Sequence, residues 1–148
     1  MIEHSHNSFQ SYFSIIFIVF LFISPIHSQD LSLEWAASFG NLYEDRILST
    51  TIDQSGNIYN TGYFQGTVNF DPNGGTTNLT SVGSEDIFVQ KLDPNGNIIW
   101  AKSFGGGTFD FGTSIQVDQL GNIYVGGFYS DDVDFDPGAG VSVFTSNG

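Results

Sequence analysis

Apolar and polar residues alternate along Ser114-Ile115-Gln116-Val117, whereas Ile87-Phe88-Val89 and Ile123-Tyr124-Val125 are apolar at successive positions. The first pattern suits a strand with one wet face, the second suits strands covered on both faces. Strands of the second kind need other sheets stacked on either side. After residue 28 no stretch sustains a 3.6-residue apolar spacing, and glycine recurs too often for a long helix. The strands come in pairs about turn signals. Residues 87–92 and 96–101 flank Asp93-Pro94-Asn95-Gly96-Asn97, where Pro suits the second place of a turn, Asn and Gly suit positive φ, and the leading Asp can accept from the turn's own backbone. Asp53-Gln54-Ser55-Gly56-Asn57 and Asp118-Gln119-Leu120-Gly121-Asn122 keep the Asp-x-x-Gly frame without Pro, which predicts two such hairpins per unit.

The pattern repeats at a spacing of 65 residues: Asp53 to Tyr59 falls on Asp118 to Tyr124, Trp35-Ala36-Ala37-Ser38-Phe39-Gly40 on Trp100-Ala101-Lys102-Ser103-Phe104-Gly105, and Phe70-Asp71-Pro72 on Phe135-Asp136-Pro137. Four strands per unit, with a recurrent Trp and recurrent Gly-aromatic pairs, predict an all-β, propeller-like architecture of about two four-stranded antiparallel blades. The unit is long for a blade. The surplus falls at residues 66–83 and 131–148, expected as an outer strand, a turn at Asp71-Pro72-Asn73-Gly74 or Asp136-Pro137-Gly138, and a loop or short extra strand at 76–81 or 141–145. Residues 34–83 read as a partial first repeat lacking its first strand, with a strand at Trp35, and 86–148 as a second repeat. Closure takes about four to eight blades, so the expectation is an incomplete ring, the front of a larger one.

Residues 1–28 read as a separate leader. Tyr12 to Ile23 (YFSIIFIVFLFI) is an apolar block of signal-peptide length, short of the roughly 20 residues of a membrane helix, and Ser24-Pro25 ends it. Cleavage after Ser28 would leave Gln29 first and no membrane attachment, although Glu3, His4 and His6 stand where a positive charge is usual. An uncleaved anchor or a misplaced start is the alternative.

Asp86-Ile87-Phe88-Val89 with Lys91-Leu92-Asp93, Trp100-Ala101-Lys102 with Phe104-Gly105-Gly106, Asp118 with Gly121-Asn122-Ile123-Tyr124-Val125 and Gly127, and Asp134-Phe135-Asp136-Pro137-Gly138 together resemble the SBBP, or seven-bladed β-propeller, repeats of secreted bacterial proteins. The resemblance covers residues 34–148. It implies a propeller serving as a structural or binding module, with further blades in a longer chain, and it implies no particular activity.

Composition narrows the chemistry. The 148 residues include 18 Gly, 15 Phe and 6 Tyr, a packing composition rather than a disordered one. Net charge is −13. Beyond the leader, 15 of the 16 acids face only Arg46, Lys91 and Lys102, which disfavours nucleic acid. Cysteine is absent and His4, His6 and His27 all lie in the leader, so a cleaved chain has no thiol nucleophile, His-based triad or His-ligated zinc.

The remaining candidates are few. On a strand, Asp132, Asp134 and Asp136 would share one side and could hold calcium as a cofactor through oxygen. The earlier copy keeps only Asp71, with Asn69, which fits a solvated edge whose charges deter pairing. Asp93, Asn95 and Asn97 imitate the start of a calcium loop, but Ile98 and Phe104 stand where its Gly and Glu belong. Trp35 and Trp100, with Phe39 and Phe104, are expected in a core between blades, with sugar stacking as the other reading of the tryptophans. Glu34, Glu44 and Glu85 leave room for a carboxylate pair. Gly105-Gly106-Gly107 leads to neither helix nor Lys, and so reads as a turn and not a phosphate cradle. The expectation is a secreted or cell-surface scaffold presenting a protein or glycan surface, without catalysis of its own. The alternative is part of a secreted glycan-directed hydrolase whose active site lies in other blades or domains.

Overall fold

The computed structural model describes residues 33–147. The leader and its histidines lie outside the described residues. The fold is all-β and antiparallel, with no helix among the described residues.

Strands β1 (Arg46–Ile52), β2 (Ile58–Asn69), β3 (Asn78–Leu92) and β4 (Ile98–Phe104) form one meander in the order β1-β2-β3-β4. β5 (Phe111–Val117) pairs with β6 (Ile123–Phe128), and β7 (Asp132–Asp134) with β8 (Val143–Thr145). The second copy reproduces the first pair for pair. Arg46↔Tyr63 through Ile52↔Ile58 becomes Phe111↔Phe128 through Val117↔Ile123, with the same register shift, at Ile47/Ser49 and at Gly112/Ser114. At that shift the strands press together. A Cβ on Gly62 would sit 1.8 Å from the Arg46 carbonyl oxygen, and one on Gly127 would sit 2.1 Å from that of Phe111.

Three differences from the sequence reading concern how the pieces join. The expected short element at 76–81 is not separate: residues 78–92 run as one strand across the join between the repeats, so the four-stranded sheet takes strands from both. β2 likewise runs unbroken where its copy is divided into β6 and β7. Residues 33–40 form no ladder, so Trp35 is not on a paired strand.

The sheet is covered on both faces, which is why Phe88 and Val89 are adjacent and both buried. On one face Phe64, Val68, Phe70, Phe88 and Ala101 form a core onto which Phe39 packs, its ring centroid 4.8 Å from that of Phe70. On the other, Tyr59 and Val89 meet Ile115 of β5, with Trp100, Phe104, Val117 and Ile123 around them. Ser49 Oγ of β1 accepts a bond from the Ile115 amide at 3.2 Å, tying β1 and β5, the equivalent strands of the two copies, side by side. Stacked antiparallel sheets with equivalent strands adjacent are a propeller-like arrangement, here without a closed ring.

Candidate functional site

A groove of about 770 Å³ lies between the outer half of the sheet and the β5–β6 hairpin. Ile87, Val89, Trp100, Lys102 and Phe104 form one wall, and Ile123, Val125, Gly127, Phe128, Tyr129, Phe135 and Pro137 the other. β6 is the outer strand of its sheet, whereas β2, its counterpart, lies between β1 and β3. The consequence is visible in burial: Tyr59 is 2% exposed and Tyr63 7%, while Tyr124 is 60% exposed and Phe128 54%. Residues buried in one copy are open in the other because the second hairpin lacks a third strand among those described.

The three Asp-x-x-Gly frames form the same turn. The Gly56, Gly96 and Gly121 amides donate to the Asp53, Asp93 and Asp118 carbonyls at 3.0, 3.0 and 3.1 Å. Each glycine has φ of 81–84°, and the neighbouring asparagines do not share that conformation. This is a three-residue hairpin loop closed by a glycine bulge. Each Asp side chain accepts from the amide two residues on and from both the amide and the side chain of the Asn four residues on, at 2.8–2.9 Å. Tyr59 and Tyr124 add a phenol bond to Asp53 and Asp118 at 3.1 and 3.2 Å. For Asp53, burial pushes the carboxyl up but these donors outweigh it; for Asp93 and Asp118 the Asn97 and Asn122 side chains lead in holding it below the usual carboxylate range. Pro94 supplies the carbonyl to which Trp35 Nε1 donates at 3.1 Å, and the Trp35 ring covers Gly96 where a Cβ would be. Trp35 is half-buried on this turn, and Trp100 and Phe104 are half-buried in the groove wall.

The three aspartates of the calcium candidate are held apart by the roles their counterparts fill in the first copy. β7 ends at Asp134, so Asp136 lies in the following turn and not on one strand face with the others. Asp132 accepts from the Thr145 hydroxyl, where the first copy has a Thr67–Thr80 hydroxyl pair. Asp134 Oδ1 accepts from the Asp136 and Ser142 amides at 3.0 and 2.8 Å; Asn69 Oδ1 does the same for Asp71 and Thr77. Asp136 Oδ1 accepts from Gly138 as Asp71 does from Asn73. No group of three or more His, Cys, Asp or Glu side chains fit to hold a metal occurs among the described residues. Of the glutamates, Glu44 pairs with Arg46, Glu85 accepts from Ser84, and Glu34 is exposed. Gly106 of the glycine run donates to Asp110 Oδ2 at 2.8 Å.

Sequence reasoning missed the buried aspartates. Asp45 accepts from the Asn41 and Gln65 amides, and Asp110, 65 residues on, from those of Gly106 and Ser130. The signal was present in the 65-residue overlay, as single matched letters outside any run. Asp86 has no counterpart in the first copy. It is 1% exposed, with Oδ2 bonded to the Val82 amide at 3.1 Å and Oδ1 without a partner. Burial, reinforced by the Asp110 charge, pushes its carboxyl up to about 6 despite the Val82 bond.

No protein-family model matches the chain. Over 118 residues it is 33% identical to an uncharacterized WD repeat-containing protein of Acanthamoeba polyphaga mimivirus, a match taking in 70% of this chain and 8% of the relative. The chain thus spans under a tenth of that relative's length. A relative described by its WD repeats accords with the propeller-type repeat seen in the strand pairing.

Proposed function

We propose that this chain is part of an exported propeller scaffold with repeats of the SBBP kind, that it works by presenting and joining protein surfaces, and that it has no catalytic step of its own. The observation that carries this reading is how the recurring polar groups are used. Asp53 and Asp118, Asp45 and Asp110, and Asn69 and Asp134 each bind their own backbone in the same way in both copies. What the repeat preserves is a framework, and the chemistry left over is a surface.

Export is tested by sequencing the N-terminus of the extracellular product. Gln29 is the expected first residue, and an intact Met1 would overturn cleavage. The scaffold role is tested by incubating the full chain with a polysaccharide panel and with the surface proteins of its source cells. A stoichiometric protein complex without sugar release is expected. Sugar release by the protein would replace this reading with the hydrolase one, and saturable binding on a glycan array without a protein partner would replace protein by glycan.

A further inference from the structure

We infer that the groove beside β6 is a receptor for one extended strand of the type of residues 86–92, supplied by a further repeat unit, which adds antiparallel to β6 and seats a phenylalanine among Phe104, Tyr129 and Phe135. The inference rests on the propeller-type reading and names what that surface takes.

The first copy shows the occupied state. There the Phe88 ring meets Phe39, Phe64 and Phe70 at centroid distances of 5.5, 6.4 and 4.9 Å. The residues 65 positions on from those three are Phe104, Tyr129 and Phe135, all in the groove wall. Three rings of a four-ring cluster are therefore in place. Phe135 already sits 6.3 Å from Phe104 and 5.1 Å from Tyr129, and the partner rings leave the groove open.

Charge points to the same occupant. Lys91, paired across the ladder with Tyr59, reaches Asp53 at 3.9 Å and lies 4.8 Å over the Tyr59 ring. Asp118 and Tyr124 repeat that acid and that ring, joined by the same phenol bond. A strand with Lys three residues after its Phe therefore finds both contacts ready. Register is also marked by a difference. In the first copy Asn60 Nδ2 donates to Gln90 Oε1 at 2.9 Å, and Gln90 Nε2 to the Phe70 carbonyl at 2.8 Å. Val125 stands where Asn60 would be. The occupant is thus expected to carry an apolar residue two positions after its Phe, since a glutamine there would leave its buried oxygen without a donor. Addition of an extended segment to an open edge, with alternate side chains in pockets, is an established recognition mode.

The test uses the full chain carrying Trp35→Phe, so that Trp100 is its only indole, and synthetic peptides based on residues 84–92 (SEDIFVQKL). Expected are a saturable change in Trp100 emission and slowed amide exchange over residues 123–128. A Phe88→Ala peptide should bind at least about tenfold more weakly, as loss of a buried ring implies. A Gln90→Leu peptide should bind several-fold more tightly, and a Lys91→Glu peptide more weakly. Val125→Lys in the protein should abolish binding of every peptide. Equal binding of a scrambled peptide, no saturable change at millimolar peptide, or concentration-dependent protection of residues 123–128 by a second copy would each overturn the inference. None of those results touches the scaffold reading, which stands or falls on the export and sugar-release assays.

Discussion

Asp131 has φ of 58°, the one positive value outside glycine among the described residues, and it stands where the first copy has Gly66 at 73°. Both amides donate to a serine hydroxyl across the ladder, Gly66 to Ser81 and Asp131 to Ser146. An L-residue in this region carries backbone strain of about 1–2 kcal/mol, less for Asp than for most. Asp131→Gly is therefore expected to raise the urea midpoint, with a gain in unfolding free energy of up to about 1 kcal/mol after the entropy cost of glycine. Gly66→Asp should cost more than the reverse change gains, because a Cβ there meets the Tyr43 ring at 3.2 Å.

Asp86 supplies a pH dependence of unusual sign. Unfolded, it ionises near 3.8; folded, near 6. Between those values the folded chain keeps a proton that the unfolded chain has lost, so stability falls as pH rises through the window, by about 3 kcal/mol in all. The lowered turn aspartates act oppositely, their stabilisation being present above the ordinary carboxylate value and lost below it. Thermal melts should thus rise from pH 7 to about 5 and fall below about 4. Asp86→Asn is expected to remove most of the rise and leave the acid fall.

Among the elements, the hairpins were the most legible in the sequence, because an Asp-x-x-Gly-Asn run contains its own hydrogen-bond partners. Asp53→Ala removes an acceptor from four donors and should cost about 1–3 kcal/mol by chemical denaturation, as loss of a turn acceptor with several bonds implies. Asp118→Ala should cost less, since among the described residues Asp118 has no counterpart to the Lys91 contact. What was not legible was how the elements join. The 65-residue period fixes a repeat length but not where a sheet begins, so residues 78–92 could be read as two pieces divided by the repeat boundary. The acidic run misled for a related reason. Period-two spacing assumes a strand continues, and Asp136 had already left it. Asp86 was invisible because burial of a single carboxylate follows from the approach of Gly105, where a Cβ would lie 2.2 Å from its carboxyl carbon.

At the scale of the molecule, the two copies share one backbone register but not one stability. β2 is almost wholly buried over Ile58 to Phe64, while β6 is exposed from Tyr124 onward. Hydrogen exchange should therefore report residues 123–128 opening well before residues 58–64, in line with local opening where few apolar contacts cover the backbone bonds. Uniform protection of both would show that the second hairpin is covered in solution.

The side-chain bonds at the outer end of each copy carry one more consequence. Asn69 and Asp134 perform the same two bonds, as do Thr67 and Asp132 toward the facing threonine. The acceptor is an oxygen in both copies, so a carboxylate can stand where the first copy has an amide, and the Ser142 and Asp136 amides hold the Asp134 carboxyl below the usual carboxylate range. Acid can therefore accumulate on the rim of successive units without disturbing their geometry, leaving charge free to be selected for colloidal behaviour, such as mutual repulsion of neighbouring chains in dilute salt.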